Sequence, residues 1–363
     1  MFRRITSILC VSILALLGMS CVKDSSPAPD NAHSFIVPGF VAQYPAIVLD
    51  DNTKSEAGEV LYQMFWNVGD VMALVNVTQG GRVDTYTSTA RVVDDDGAGT
   101  FIADAEYTYN PDDIVFVVYP YDAVTNIDVS GSVYTLSVRL TDNLSYTSKS
   151  NSPMFAKNDI QVSPLLQASS LLTSGDKYPG IEMRRMMGMI RILSHVSDET
   201  LSAEAVSSVS VCAKGIAGEA DIAFSGRFYG ATPSIIMNGG TSRIMTVNLP
   251  NTPKMASTTP LAEFIPVFPV WLGVDGTRDG FDVVYNTANY RVGFHREVNY
   301  NVRSNNVLAM NIFEGAYQQV MSDEEAIGDS KWWYVLKGGG MDRAGGFSGD
   351  GSEMGSTAGG FSE

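Results

Sequence analysis

The sequence predicts an all-β protein made of two tandem β-sandwich domains of the Greek-key type. Short runs rich in Val, Ile, Tyr and Phe recur along the chain, separated by turn-forming pairs such as Gly80-Gly81 and Asn110-Pro111. Helical periodicity is nearly absent, and we expect helical turns only within 163–173 and 322–327. Many short strands with turns roughly every ten residues favour β-sandwiches over alternating strands and helices.

Individual runs have the patterns of strands with one or two buried faces. Residues 134–140 alternate between apolar and polar side chains, which predicts a strand with one face in the core. Residues 114–119 are apolar throughout and stop at Pro120, which cannot donate to a β-ladder, so we expect a strand buried on both faces. Further strands are predicted at 71–77, 206–211, 281–285 and 290–294.

Composition divides the chain into five segments. They are an export signal (1–20), a polar tether (21–34), an N-terminal sandwich (35–174), a C-terminal sandwich (175–337) and a tail rich in Gly and Ser (338–363). The polar stretch Thr173-Ser174-Gly175-Asp176 marks the boundary between the two sandwiches, and 363 residues are enough for two domains. The tail has too few apolar residues to offset the entropy cost of ordering it, so we expect it to be disordered.

The first residues predict a lipoprotein export signal. Arg3 and Arg4 precede an apolar stretch, 5–17, that is too short to span a bilayer. The sequence Leu17-Gly18-Met19-Ser20-Cys21 resembles a bacterial lipobox, which implies cleavage before Cys21 and acylation of its thiol with palmitate-like chains. Several chains anchor a protein stably, because each buried methylene contributes about 0.8 kcal/mol. An ordinary secretory signal with a chance cysteine is the alternative.

Charge and motif content argue against nucleic-acid binding and against catalysis. The formal net charge is −16, and a negative surface repels phosphate backbones. His33, His195 and His295 are far apart in sequence, and the chain has no nucleophile elbow, phosphate-binding loop or dinucleotide-binding motif. Cys212 lies in an apolar run and is expected to be a buried small side chain. We predict no catalytic residue, no metal site and no cofactor.

Four motifs follow one another in the first half of the chain. They are Trp66-Asn67-Val68-Gly69-Asp70, Phe116-Val117-Val118-Tyr119-Pro120-Tyr121, Asn151-Ser152-Pro153-Met154-Phe155-Ala156 and the apolar stretch 183–192. Together they resemble the fimbrillin-like family, the subunits of type V pili in anaerobic gut and oral bacteria. Ser152 stands where the family has an acidic residue, and the resemblance weakens after Ile192. It implies transthyretin-like sandwiches in which Trp66, Tyr119 and Tyr121 are core or strand-end aromatics.

The resemblance also implies how such a chain assembles. Fimbrillin-like subunits are exported as lipoproteins to the outer membrane and the cell surface, where a trypsin-like protease removes the N-terminal strand. An extended segment of another pilus subunit then fills the open groove by β-augmentation, in which backbone hydrogen bonds supply affinity and side-chain pockets supply specificity. The adhesive partner would be a host or bacterial surface receptor.

Residues near the N-terminus correspond to the cleavage step. Residues 35–40 and 46–49 are apolar enough to be the removable strand. Lys54 is the one basic residue between Lys23 and Arg82, and it lies in a polar loop, so we predict that it is the processing site. The alternative is an ordinary solvated lysine, since the family protease generally prefers Arg.

The candidate donor strand is the heptad 331–337, with Trp332, Tyr334 and Leu336 on one face. A glycine-rich tail follows it, whereas shaft subunits of the family usually end on strand-forming sequence. The heptad is therefore either the donor strand with an extension or part of a tip, anchor or accessory subunit that does not donate, and we prefer the second.

A competing prediction is an outer-surface lipoprotein that captures glycans. Such a protein needs a planar aromatic platform, and the tryptophans available besides Trp66 are Trp271, Trp332 and Trp333. Trp271 follows the apolar run 264–270 and is expected in the core. Trp332 and Trp333 are adjacent, so only one of them can face a given side of a strand.

Overall fold

The computed structural model describes residues 34–50, 60–62, 64–91, 97–140, 143–145, 157–195, 199–213, 215–236, 243–255, 262–272, 281–296, 300–313 and 330–336. Cys21, Lys54, the motif at 151–156, the predicted helical turn at 322–327 and the tail lie outside these residues. No helix among the described residues is long and apolar enough to cross a membrane.

The described chain is built almost wholly of strands, which confirms the predicted all-β class. Its strands in the first half are β1 (Phe35–Ile36), β2 (Gly39–Gln43), β3 (Ile47–Asp50), β4 (Val60–Tyr62), β5 (Val71–Asn76), β6 (Arg82–Arg91), β7 (Ala98–Ala103), β8 (Thr108–Tyr109), β9 (Ile114–Tyr119), β10 (Val124–Asp128), β11 (Thr135–Arg139), β12 (Asn143–Ser145), β13 (Gln161–Val162) and β14 (Leu166–Gln167).

The second half continues with the strands β15 (Gly180–Ile181), β16 (Arg184–Arg185), β17 (Gly188–His195), β18 (Val206–Ala213), β19 (Glu219–Phe224), β20 (Pro233–Ile236), β21 (Arg243–Asn248), β22 (Ala262–Val267), β23 (Val270–Leu272), β24 (Phe281–Thr287), β25 (Tyr290–Arg296), β26 (Tyr300–Val302), β27 (Asn306–Phe313) and β28 (Ser330–Leu336). A single helical turn, α1 (Glu199–Ser202), precedes β18. Of the helical turn expected within 163–173, the structure has only the 3-10 turn Ala168–Leu171.

The largest sheet has nine strands in the order β15-β2-β7-β6-β5-β9-β13-β16, with β14 also paired to β9. Its strand β9 is buried on both faces over nearly its whole length, as its continuous apolar sequence predicts. The strand ends at Tyr119, and a cis peptide bond joins that residue to Pro120.

Three smaller sheets and two strand pairs complete the architecture. The four-stranded sheet has the order β10-β11-β19-β20, the five-stranded sheet β22-β17-β27-β3-β4, and the six-stranded sheet β12-β21-β18-β24-β25-β28. The two pairs are β1-β8 and β23-β26. In β11 buried and partly exposed side chains alternate, as predicted for a strand with one face in the core.

Strand pairing crosses the boundary predicted at residues 174 and 175. Strand β11 pairs with β19, β12 pairs with β21, and β3 pairs with β27. The division into two domains stays a prediction. If it holds, the backbone hydrogen bonds of these three strand pairs join the segment before residue 175 to the segment after it.

Two hydrophobic clusters lie on opposite faces of the nine-stranded sheet. Strand β9 contributes to both, because its alternate side chains point to opposite sides. Val117 belongs to a cluster that contains Trp66 and Phe40, whereas Phe116 belongs to a larger one that contains Phe294. The sheet is therefore a central layer with a packed core on each side.

Candidate functional site

The N-terminal segment, Ser34–Asp50, supplies an internal strand to the nine-stranded sheet. Strand β2 pairs antiparallel with β7 through five residue pairs, from Gly39 opposite Ile102 to Gln43 opposite Ala98. Its other edge pairs parallel with the short strand β15. We call the surface that residues 34–44 cover the N-terminal groove. Because β2 lies inside the sheet, the groove is occupied by the chain's own segment in this structure.

Alternate side chains of this segment pack into the aromatic cluster. Phe40 is fully buried, and its ring centroid lies 4.9 Å from that of Tyr86 and 5.7 Å from that of Phe101. Val37 and Ala42 are also fully buried. Burying a Phe side chain contributes about 1.5–3 kcal/mol, so the apolar residues hold the segment firmly in the groove.

Two positions of β2 are restricted to small residues. A Cβ atom on Gly39 would lie 2.5 Å from the carbonyl oxygen of Phe101, which is backbone and cannot rotate away. Ala42 stands opposite Gly99, and the Trp66 ring occupies the space above that glycine. The indole Nε1 of Trp66 donates to the carbonyl of Ala42 at 2.8 Å, which fixes the ring against this part of β2.

The segment ends in a buried polar contact. The Tyr44 hydroxyl donates to Oδ2 of Asp159 at 2.6 Å, and the Tyr44 ring lies 4.2 Å from Trp66. Asp159 also accepts from Arg185 Nε at 2.6 Å and from Gln161 Nε2 at 3.0 Å. Burial, with the nearby Asp159 carboxylate as a second cause, raises the pKa of Tyr44 well above its usual value. Tyr44 is therefore a protonated donor at neutral pH.

Backbone groups complete the attachment. The Tyr44 amide donates to the Gly97 carbonyl at 3.2 Å, and the Ala103 amide donates to the Pro38 carbonyl at 3.0 Å. The Tyr86 hydroxyl donates to the Val37 carbonyl at 3.1 Å. The groove thus recognises an extended backbone along the full length of β2.

Strand β3 of the same segment lies inside a second sheet, the five-stranded one. It pairs parallel with β27 and antiparallel with β4 in the five-stranded sheet. The predicted removable residues 35–40 and 46–49 therefore belong to strands of three sheets: the β1-β8 pair, the nine-stranded sheet and the five-stranded sheet. Their departure would leave unpaired backbone edges on β7 and on β27.

The predicted strand at 331–337 is present as β28. It pairs antiparallel with β25 through seven residue pairs, with Trp332 opposite Phe294, Tyr334 opposite Val292 and Leu336 opposite Tyr290. This position is the end of the six-stranded sheet, which contains no strand of the N-terminal segment. A donor role for Trp332, Tyr334 and Leu336 stays a prediction.

The Trp66 motif supports the fold, as predicted. Trp66 and Tyr119 are buried and meet edge to face, with ring centroids 4.8 Å apart. Gly69 has a left-handed φ of 90°, and Asp70 Oδ2 accepts from the amide of Asn67 at 2.7 Å, so the motif forms a tight turn into β5.

One sequence prediction about the aromatics is wrong. Trp271, expected in the core, is 44% exposed, because the side chains of β23 alternate and Leu272 takes the buried position. Sequence reasoning also missed Phe228 and Tyr229, which are both 61% exposed in the loop between β19 and β20. Gly226 and Gly230 on either side of this pair were the available signal of an exposed turn. The described residues contain no cluster of three His, Cys, Asp or Glu placed to bind a metal.

Comparison with known proteins gives matches only among solved structures. No family model matches the sequence, and no curated protein matches it. A candidate cell adhesion protein from Bacteroides uniformis is 14% identical, with a TM-score of 0.42 over 83% of this chain and 96% of its own. A fimbrial assembly protein from Parabacteroides distasonis is 9% identical, with a TM-score of 0.35 over 84% of this chain and 96% of its own. Both similarities are weak.

Proposed function

We propose that this chain is an adhesive, fimbrillin-like subunit of a cell-surface pilus and that it assembles by strand exchange at the N-terminal groove. The observation that supports this proposal is the position of the N-terminal segment. One continuous stretch at the start of the described chain supplies internal strands to two sheets. A single cut after it, followed by departure of the segment, would open both sheets to an incoming strand.

The predicted processing site fits between two strands. Lys54 follows β3, which ends at Asp50, and precedes β4, which begins at Val60. Cleavage after Lys54 would separate the N-terminal segment without cutting a described strand. The remaining chain would have a groove lined by Tyr86 and Phe101 and edged by the free backbone of β7, which an extended apolar strand can complete.

The lipid anchor would hold the precursor before cleavage, and the pairing of the C-terminal strand bears on the position of the subunit in the pilus. Acylated Cys21 would hold the precursor at the outer membrane, and cleavage would free the chain from that anchor. Strand β28 is paired with β25 of its own chain, so donating it would cost the hydrogen bonds of that pairing. We therefore propose a tip, anchor or accessory position for this subunit.

Processing at Lys54 can be tested with two matched variants in the producing bacterium. Lys54→Arg keeps a basic residue for a trypsin-like protease, whereas Lys54→Gln removes it. We expect immunogold electron microscopy to find wild type and Lys54→Arg in surface filaments and to find Lys54→Gln only as unassembled membrane lipoprotein. Filaments that contain Lys54→Gln at the wild-type level would contradict the proposal.

A second candidate function is glycan capture, favoured by the exposed pair Phe228 and Tyr229. Hydrogen bonds hold their loop in place, since the Gly230 amide donates to the Leu165 carbonyl at 2.9 Å and the Ala231 amide donates to the Phe228 carbonyl at 3.1 Å. A fixed aromatic pair can pack against a sugar ring. Retardation in polysaccharide gels that is lost in Phe228→Ala and kept in Leu172→Ala, a control at another exposed residue, would support this function.

A further inference from the structure

We infer that the N-terminal groove accepts a strand from a different chain, with the pattern Gly–aromatic–any–small–any–Tyr, and rejects the C-terminal segments of a second copy of this chain. The inference rests on the proposed strand exchange and specifies its partner. It follows from four positions of β2 and the residue after it. The side chains at 40, 42 and 44 enter the aromatic cluster, and at 39 a Cβ atom would meet the backbone of β7.

The first requirement is glycine at position 39. The Phe101 carbonyl oxygen would lie 2.5 Å from any Cβ at this position, and the Tyr178 ring would lie 3.3 Å away. The oxygen belongs to the backbone of β7, the strand with which an incoming strand must pair. A larger residue would therefore push the strand off the edge that supplies its hydrogen bonds.

The second and third requirements concern the aromatic cluster. Position 40 faces Tyr86 and Phe101, so an aromatic ring fills it and a small residue leaves a cavity. Position 42 is fully buried opposite Gly99, where the Trp66 ring already occupies the space. A bulky residue at position 42 would have to displace Trp66, whose Nε1 donates to the backbone of that same position.

The fourth requirement is a hydroxyl donor at position 44. Asp159 and Arg185 have fully buried side chains, and the Tyr44 hydroxyl is one of the donors to the carboxylate. A strand with an apolar residue here would remove one of the three hydrogen bonds that Oδ2 of Asp159 accepts, leaving those from Gln161 and Arg185, and a lost hydrogen bond in a dry site costs stability. A groove with only apolar walls would accept an apolar residue at position 44 as readily as tyrosine.

The C-terminal strand of this chain does not meet these requirements. Three registers place an aromatic residue of 332–334 at position 40. Position 39 is then Lys331, Trp332 or Trp333, and position 42 is Tyr334, Val335 or Leu336. None of the three registers has glycine at position 39 or tyrosine at position 44.

The tail contains one segment that matches three of the four positions. The sequence Gly346-Phe347-Ser348-Gly349-Asp350-Gly351 has the glycine, the aromatic and the small residue at matching positions. Gly351 stands where Tyr44 does, so this segment has no donor for Asp159. Its glycines also have low strand propensity. Neither C-terminal segment of this chain therefore satisfies all four positions.

The inference can be tested by peptide exchange. A specific protease site introduced within 51–59 of the full chain allows the N-terminal segment to be nicked and then displaced. A labelled peptide of residues 34–50 is added, and fluorescence anisotropy measures its binding and its competition with unlabelled peptides. The competitors are Val41→Thr, Gly39→Leu, Ala42→Trp and Tyr44→Phe versions of the same peptide and two peptides of residues 329–338 and 344–353.

We expect Val41→Thr, a change at a half-buried position that points away from the aromatic cluster, to compete like the wild-type peptide. Tyr44→Phe should compete about tenfold less well, since the loss of one buried hydrogen bond is of that size. Gly39→Leu, Ala42→Trp and both C-terminal peptides should fail to compete at a hundredfold excess. Competition by either C-terminal peptide, or equal competition by Tyr44→Phe, would overturn the inference.

Two other results are informative. If a folded, nicked protein does not take up the wild-type peptide, strand exchange itself fails, and the proposed function falls with the inference. If the wild-type and Tyr44→Phe peptides bind equally, only the inference fails. If nicking unfolds the chain, the Tm of the uncut protein is measured instead. The variants Gly39→Leu, Ala42→Trp and Tyr44→Phe should each have a lower Tm than Val41→Thr. Equal Tm values in all four variants would contradict the inference.

Discussion

The hydroxyl of Tyr44 donates a 2.6 Å hydrogen bond to Asp159, which lies 115 residues further along the chain. Asp159 in turn forms a fully buried ion pair with Arg185. Through these contacts the N-terminal segment is attached to the motif stretch 183–192 as well as to its neighbour β7. The stability of the precursor and the specificity of the groove therefore depend on the same three side chains.

The buried pair predicts a large effect from removing one partner. Arg185→Met would leave the Asp159 carboxylate buried without its cation, and we expect a loss of about 3–5 kcal/mol in the free energy of unfolding. The control is Arg139→Met, because the Arg139–Glu219 pair is exposed at 3.4 Å and such pairs contribute about 0–1 kcal/mol. Urea denaturation followed by circular dichroism measures both. Similar losses in the two variants would be inconsistent with a buried pair.

The close approach of Trp66 to Gly99 predicts a second contrast. A Cβ on Gly99 would lie 2.4 Å from Cδ1 of Trp66, so Gly99→Ala should cost about 1–3 kcal/mol and change the tryptophan fluorescence. Gly180→Ala is the matched control, since Gly180 lies on the strand beside β2 and a Cβ there has nothing within 4 Å. Denaturation curves that shift equally for the two variants would show that Trp66 does not pack on Gly99.

Buried tyrosines predict a loss of stability at high pH. Burial raises the pKa of Tyr44, Tyr86, Tyr109 and Tyr119 above the usual value of about 10. Since the folded chain keeps protons that the unfolded chain releases, their contribution is complete below about pH 10 and is lost as pH rises beyond it. An alkaline titration that follows phenolate absorbance reports when the tyrosines ionise. The four buried ones should ionise only as near-UV circular dichroism is lost.

That titration has a clear contrary result. If all 16 tyrosines gained phenolate absorbance while the near-UV signal persisted, the four would be accessible in the folded state. The packing of the N-terminal groove would then be looser than the structure shows.

Two truncations separate the roles of the C-terminal strand and the tail. Removing 338–363 should leave Tm unchanged, because β28 is kept. Removing 330–363 deletes β28 and exposes the edge of β25, so we expect a lower Tm and concentration-dependent association in size-exclusion chromatography. Equal behaviour of the two truncations would mean that β28 does not contribute to the fold.

Strand positions were predictable because each strand has its own local signal. The continuous apolar run of β9 and the alternation in β11 each predicted the burial that the structure shows. Their partners were not predictable, because a period of two says which face is buried and nothing about which distant strand lies alongside. The pairing of β11 with β19 joins residues 84 positions apart, as in the hydrogen bond from Ser137 to Asp221.

The apolar part of the candidate site was predictable and its polar part was not. Residues 35–40 are visibly apolar, and the structure places Phe40 in the core. Asp159 and Arg185 have no local pattern that distinguishes them from surface charges, and only the fold brings them to Tyr44. Trp271 was assigned to the core because an apolar run precedes it, but the pleat of β23 turns it outward.

The measurement that tests the central claim most directly is the N-terminal sequence of the protein recovered from filaments on intact cells. If residues 21–54 are removed by cleavage after Lys54, the chain should begin at Ser55 and carry no acyl groups. A chain in filaments that still begins at acylated Cys21 would show that the N-terminal segment stays in its groove and that assembly does not use it.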